Sequence, residues 1–90
     1  MAWKIEFAES AQKELKALDH KAQRDITNYL RNRIATDEDP RRFGDPLRKS
    51  LSGLWEYRVG NYRVICDIQN DVLIVLVIRI GHRSKVYGGH

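Results

Sequence analysis

Three arginines and a tyrosine carry the chemistry that this chain can offer. Trp55, Tyr57 and Val59 alternate with Glu56 and Arg58; after Gly60-Asn61, Tyr62, Val64, Cys66 and Ile68 alternate with Arg63, Ile65 and Asp67. Two alternating runs around a two-residue Gly-Asn loop form a β-hairpin. That loop pairs Val59 with Tyr62 and Arg58 with Arg63. Like charges directly opposed across strands are destabilising, so the register predicts an anion held between two guanidinium groups. Each of these is a planar fork matched to phosphate. The alternatives are that both side chains run out into solvent, or that the turn slips by one residue. Downstream, Gly81 permits a bend and His82-Arg83-Ser84-Lys85-Val86-Tyr87 follows. Arg83 leaves the last strand next to the sheet's end, and the bend leaves Tyr87 able to fold back over the same face. Three arginines with a tyrosine, a histidine and no surplus of carboxylates suit a phosphate-centred reaction or a nucleic-acid groove.

Side-chain chemistry limits the roles. Arginine keeps its proton up to a pKa above about 12, so Arg83 stabilises charge and does not act as an acid. Tyr87, with an ordinary pKa of ~10, is a poor base unless Lys85, Arg58 and Arg83 lower it. His82 has the best-matched pKa for acid–base work, or else orients the segment before Arg83. Glu56 shares the Arg58 side of its strand. Its nearness to two arginines makes it the ion-pair partner of Arg58 or a neighbouring arginine; the alternative is a general base.

At the start of the chain, Trp3-Lys4-Ile5-Glu6-Phe7 alternates like a half-buried strand. Ala8, Ala11, Leu15 and Leu18 recur at helical spacing, with Glu9 or Ser10 at the entry. Asp19 is an N-cap for a second helix whose apolar face is Ala22, Ile26, Tyr29, Leu30 and Ile34. From Thr36 to Gly53 the periodicity disappears, with breaks at Pro40 and Gly44-Asp45-Pro46. Long loops tend to be functional, and this one carries Arg41, Arg42, Arg48 and Lys49 as candidates, with Lys85, for RNA or ribosome contact. After a turn at Asn70-Asp71, Val72 to Ile78 is apolar on both faces, as a central strand is. The order β-α-α-β-β-β predicts an α+β single domain over residues 1–90, with a helical hairpin on one face of a four-stranded, largely antiparallel sheet.

Composition narrows the classes. The chain has 90 residues and net charge +4. Residues 1–40 are net −1 and residues 41–90 net +5, so the basicity belongs to the half that holds the hairpin. A single cysteine, Cys66, excludes an internal disulfide and a cysteine-based zinc site, and reads as a core thiol. Trp3 and Trp55 read as core, His20 as solvated, and Arg24, Arg31 and Arg33 as the outer face of the second helix. The apolar run from Val72 to Ile78 is far shorter than a membrane span, and no leader pattern opens the chain. Both point to a cytoplasmic protein.

Leu51-Ser52-Gly53-Leu54-Trp55-Glu56-Tyr57-Arg58-Val59-Gly60-Asn61-Tyr62-Arg63-Val64-Ile65 and Val77-Ile78-Arg79-Ile80-Gly81-His82-Arg83-Ser84-Lys85-Val86-Tyr87 resemble the RelE branch of the RelE/ParE toxin superfamily. The early strand and paired helices extend the likeness over nearly the whole chain. The resemblance implies the toxin of a type II toxin–antitoxin module: an endoribonuclease that enters the ribosomal A site, cuts the exposed mRNA codon, and is silenced by a cognate antitoxin. It implies attack of an RNA 2′-hydroxyl on the adjacent phosphate, giving a 2′,3′-cyclic phosphate without metal or cofactor. By matching position, Arg63 would clamp the scissile phosphate and Arg83 would stabilise the developing charge or the leaving 5′-oxygen. Arg58 stands where relatives place a catalytic lysine, and Tyr87 where they place a catalytic tyrosine. Glu56 departs from the pattern, since the best-known relative has lysine there. The sequence also runs only three residues past Tyr87, short of the C-terminal helix of some relatives. The alternatives within the superfamily are a ParE-like toxin that inhibits DNA gyrase without cutting RNA, and a silent member kept for antitoxin binding and transcriptional control.

Overall fold

The computed structural model describes residues 2–48 and 51–83. In chain order these form β1 (Lys4–Phe7), α1 (Glu9–Lys16), α2 (His20–Tyr29), β2 (Asp45–Pro46), β3 (Trp55–Val59), β4 (Tyr62–Gln69) and β5 (Ile74–His82). A π turn, Leu30–Ile34, extends α2, and a 3-10 turn covers Pro40–Phe43. The sheet order is β1-β5-β4-β3-β2. β1 runs parallel to β5, and the remaining neighbours are antiparallel.

The architecture is the expected α+β arrangement, with five strands in place of four. The added strand is β2, where Asp45 and Pro46 pair with Glu56 and Trp55. Two residues are too few for alternation to register in a sequence. The stretch from Thr36 to Gly53, expected to lack structure, therefore contains both β2 and the 3-10 turn. Asp39 starts that turn by accepting from the Arg41 N–H at 3.0 Å. The buried Tyr57 hydroxyl pins it by donating to the Pro40 carbonyl at 2.7 Å. Gly44 follows because a Cβ there would sit 3.1 Å from the Tyr57 ring and 3.2 Å from the Glu56 carbonyl oxygen.

The Asp19 side chain accepts from the Ala22 N–H at 2.8 Å and caps α2 as expected. Ala22, Ile26, Leu30 and Ile34 are all buried, four residues apart. In a regular α-helix each such step overshoots a full turn by about 40°, so the last of them would rotate off the core. The π turn corrects this: the Ala35 N–H donates to the Leu30 carbonyl at 2.9 Å, an i to i+5 bond that widens the turn. Ile26, Leu30 and Ile34 then meet Tyr57, Val64, Cys66, Val75 and Val77 in the core.

α1 has a different task. β1 ends at Phe7, opposite Val77, so among the described residues β5 has no strand neighbour on this side beyond that point. α1 lies along the open edge. The Ser10 hydroxyl donates to the Ile78 carbonyl at 3.0 Å, and the Glu14 carboxylate accepts from the Ile80 N–H at 2.7 Å. Side chains thus satisfy backbone groups that an edge strand leaves unpaired. Ala8, which has no side-chain cap to offer, occupies the N-cap position of α1 in place of Glu9 or Ser10. Among the described residues no helix is long and apolar enough to cross a membrane.

Candidate active site

The hairpin register is the one derived from the turn. Val59 pairs with Tyr62 and Arg58 with Arg63. Gly60 takes φ +60°, while Asn61 is not among the residues at positive φ; this combination fits a II′ turn, which requires glycine at its first central position. Tyr57, Val59, Val64, Cys66 and Ile68 belong to the core under the helices. Glu56, Arg58 and Arg63 therefore stand on the opposite, helix-distal face.

β5 carries a bulge that decides what stands beside them. Ile65 pairs with Arg79, but the next residue, Cys66, pairs with Val77, leaving Ile78 as an extra residue. The extra residue shifts the phase of the strand. Val75, Val77 and Ile80 all face the core, and Gly81 comes to lie opposite Arg63. The glycine presents no side chain to that arginine. His82 pairs with Tyr62 and lies edge-on to its ring, with centroids 5.8 Å apart. Tyr62 packs against the core, so His82 is on the helix side, across the sheet from Arg58 and Arg63. The Arg83 N–H donates to the Asn61 carbonyl at 2.9 Å, which anchors the exposed Arg83 at the hairpin end.

The anion that the opposed arginines call for is supplied from within the chain. Arg63 Nη1 lies 3.0 and 2.9 Å from the two carboxylate oxygens of Glu56, and Arg58 Nε lies 3.9 Å from Oε1. Glu56 is 4% exposed. The Arg63 side chain is 15% exposed and that of Arg58 62%. The two arginines are equivalent in sequence pattern and unlike in surroundings: one is enclosed against a carboxylate, the other reaches into solvent. Ile65, the cross-strand partner of Glu56, is 3% exposed, which gives the ion pair an apolar floor that strengthens its attraction.

The loop arginines are elsewhere. Arg41 bonds Asp39 at 3.1 Å and Asn70 at 2.7 Å, with its guanidinium 5.9 Å from the Trp55 ring centroid. This is the far end of the β3–β4 ladder from Gly60-Asn61. Arg42 pairs with Glu38 at 2.7 Å and lies over the Phe43 ring, and Arg48 is exposed. Lys49, Lys85 and Tyr87 lie outside the described residues. Arg79, to which the pattern assigned no role, aligns with Ile65 and Glu56 across the ladder, and Glu14 of α1 holds it at 3.1 Å. Its signal in the sequence is a lone charge within the apolar run of β5.

The other reactive groups are structural. Burial pushes the Cys66 thiol well above the ordinary thiol range and the Tyr57 phenol well above the ordinary phenol range, so neither ionises to act as nucleophile or base. Among the described residues no group of three or more His, Cys, Asp or Glu side chains is placed to hold a metal.

The chain and its fold are similar to those of known proteins. The chain is 26% identical to the toxin RelG of Mycobacterium tuberculosis over 87 residues, 97% of this chain and 98% of RelG. It is 43% identical to the toxin RelE of the same organism over 49 residues, 54% of this chain and 50% of that protein. Among solved structures, the Mycobacterium tuberculosis RelBE2 toxin–antitoxin complex matches with TM-score 0.84 at 25% identity, over 94% of this chain and 95% of the matched one. The model describing the ParE toxin of the parDE type II toxin–antitoxin system aligns with residues 5–87. The protein therefore belongs to the ParE toxin family, within the RelE/ParE superfamily, and is a toxin of a type II toxin–antitoxin system.

Proposed function

We propose that this toxin is an endoribonuclease that cuts mRNA in the ribosomal A site. The observation that carries the proposal is the placement of Arg58 opposite Arg63, with Arg83 anchored at the same hairpin end. The RNA 2′-oxygen attacks the adjacent phosphorus and the bond to the 5′-oxygen breaks. The 2′-hydroxyl proton leaves to a base and the 5′-oxygen gains one, giving a 2′,3′-cyclic phosphate and a free 5′-hydroxyl. Negative charge builds on the phosphoryl oxygens during attack, and cations already in place stabilise it without reorganising. Arg63 and Arg83 fill that role, Arg58 draws in the phosphate from the solvent side, and Tyr87 completes the set by its position in the family motif. Neither step requires a metal or cofactor, since charge stabilisation is assigned to the arginines.

Among the described residues the site offers no ideal general base: His82 is on the other side of the sheet, and Glu56 is enclosed and engaged by Arg63. Orientation of the RNA by the ribosome supplies the missing rate, because fixing a reactive geometry removes a large entropic barrier. Arg48, Lys49 and Lys85 are assigned to ribosome contact, with Arg41 and Arg42 as further contacts that already carry their own counter-ions. The partners are the ribosome, its mRNA and a cognate antitoxin, and the compartment is the cytoplasm.

The test is to map new 5′ ends in translated and untranslated mRNA after adding purified toxin. Ends confined to translated message, and lost by a factor of at least ~100 in Arg63→Ala and Arg83→Ala, support the proposal. Undiminished cutting by both variants overturns it. The ParE description of the matching family favours a second possibility, inhibition of DNA gyrase. Gyrase-linked DNA breaks in toxin-treated cells, without new mRNA ends, would establish it.

A further inference from the structure

Glu56 is an unusual residue for a phosphate site. A carboxylate repels the phosphodiester and repels its more highly charged transition state further. An enclosed carboxylate is also costly unless a cation pairs with it. In this chain the cation is Arg63, reached diagonally across the β3–β4 ladder, since Arg63 is directly opposite Arg58 and two residues along from Ile65, the partner of Glu56. Diagonal neighbours on one face are within reach of long side chains. Both Glu56 oxygens accept from the single Nη1 of Arg63, at 3.0 and 2.9 Å. Arg58 Nε lies farther from the same carboxylate, 3.9 Å from Oε1, so Glu56 holds Arg63 closely, touches Arg58 only at its margin, and relieves the like-charge repulsion between them.

We propose that Glu56 is a positioning residue: it locks the Arg63 guanidinium in one orientation and leaves Arg58 as the mobile, solvent-facing cation that captures the phosphate. The inference rests on the assignment of this face to RNA cleavage. Arg63 becomes a preset charge that costs no reorganisation during the reaction. Arg58, with 62% of its side chain exposed, adapts to the incoming strand. Glu56 acts through Arg63 and does not touch substrate, because it is buried and both oxygens face the guanidinium. Loss of positioning lowers turnover; loss of capture weakens binding.

Two measurements test the division of labour. The first is nuclear magnetic resonance of the arginine side chains in the wild-type protein, which needs neither a variant nor an activity. Arg63 shows hindered rotation about its Cζ–Nη1 bond and Arg58 shows averaging; equal averaging of both overturns the proposal. The second is cleavage of ribosome-bound mRNA. Glu56→Gln keeps the side-chain volume and lowers kcat by about tenfold to a hundredfold, with KM within about twofold. In an Arg63→Ala background the same substitution has no further effect on kcat. Arg58→Ala raises KM more than it lowers kcat. A Glu56→Gln protein that cuts as fast as wild type, or faster, shows that Glu56 only competes with phosphate and overturns the proposal. A wild-type protein that cuts nothing removes the ribonuclease assignment, and with it the turnover role of Glu56. The resonance experiment then separately decides whether Glu56 locks Arg63.

Discussion

At the scale of single residues, the same side-chain types do different work according to what surrounds them. Arg58 and Arg63 are paired in register, yet burial and Glu56 make one an enclosed charge and the other a solvent-facing one. Tyr57 and Cys66 show burial acting on proton affinity. Burial raises both pKa values above the ordinary 10.0 and 9.0. On unfolding these groups are exposed and release their protons at the ordinary values, so above about pH 9 the unfolded chain holds fewer protons than the folded one. Stability is therefore complete below that pH and falls as pH rises beyond it. Urea unfolding between about pH 8 and pH 11 is expected to show a falling midpoint, which Cys66→Val and Tyr57→Phe each flatten in part. Tyr57→Phe also loses the bond to the Pro40 carbonyl and lowers stability at neutral pH by about 1–2 kcal/mol. A midpoint that does not move with pH in the wild type would remove this account.

At the scale of elements, the β3–β4 hairpin is the part of the site most legible in the sequence. Alternation set the two faces, and Gly60-Asn61 set the register that opposes Arg58 to Arg63. Gly60 is required by its φ of +60°, where a side chain costs about 1–2 kcal/mol. Gly60→Ala is expected to destabilise the protein by that amount in urea unfolding. Because the turn carries the register, the variant should also lose RNA cleavage beyond what the stability change explains. Retained stability and activity would mean that the turn relaxes without disturbing the ladder. β2 and the 3-10 turn were not legible. Two paired residues and one tight turn carry no period, and what holds them is the distant Tyr57 hydroxyl and the close approach of Gly44. The shift of β5 from the expected Val72–Ile78 to Ile74–His82 has a similar cause. Its apolar run marks where the strand is buried, whereas pairing with β4 continues it through Arg79 and Gly81.

At the scale of the whole molecule, the net charge of +4 resides in the half of the chain that forms the hairpin and β5. Binding to a polyanion through that half releases counter-ions, so affinity falls as salt rises. Toxin binding to ribosomes, measured between about 50 and 200 mM salt, should weaken steeply, and Arg58→Ala should reduce the slope by about 1. An Arg58→Ala protein with an unchanged slope would show that Arg58 makes no phosphate contact.

The sequence by itself determined the α+β class, the cap of α2, the two faces of the hairpin and the opposition of Arg58 to Arg63, and it favoured Glu56 as the ion-pair partner of Arg58 or a neighbouring arginine. All of these follow from local periodicity and turn chemistry, which act over a few residues. Only the tertiary structure decided that the close partner of Glu56 is Arg63, since a buried ion pair depends on which side chains enclose it. Only the structure placed the bulge in β5. Simple alternation from Val75 and Val77 would turn Arg79 and Gly81 toward the core and leave Ile80 and His82 on the helix-distal face. One extra residue reverses this, burying Ile80 and setting His82 beside Tyr62 and Gly81 beside Arg63. Strand phase changes sign with a single residue, and the position of that residue is fixed by pairing with β4 and by the edge contacts of α1.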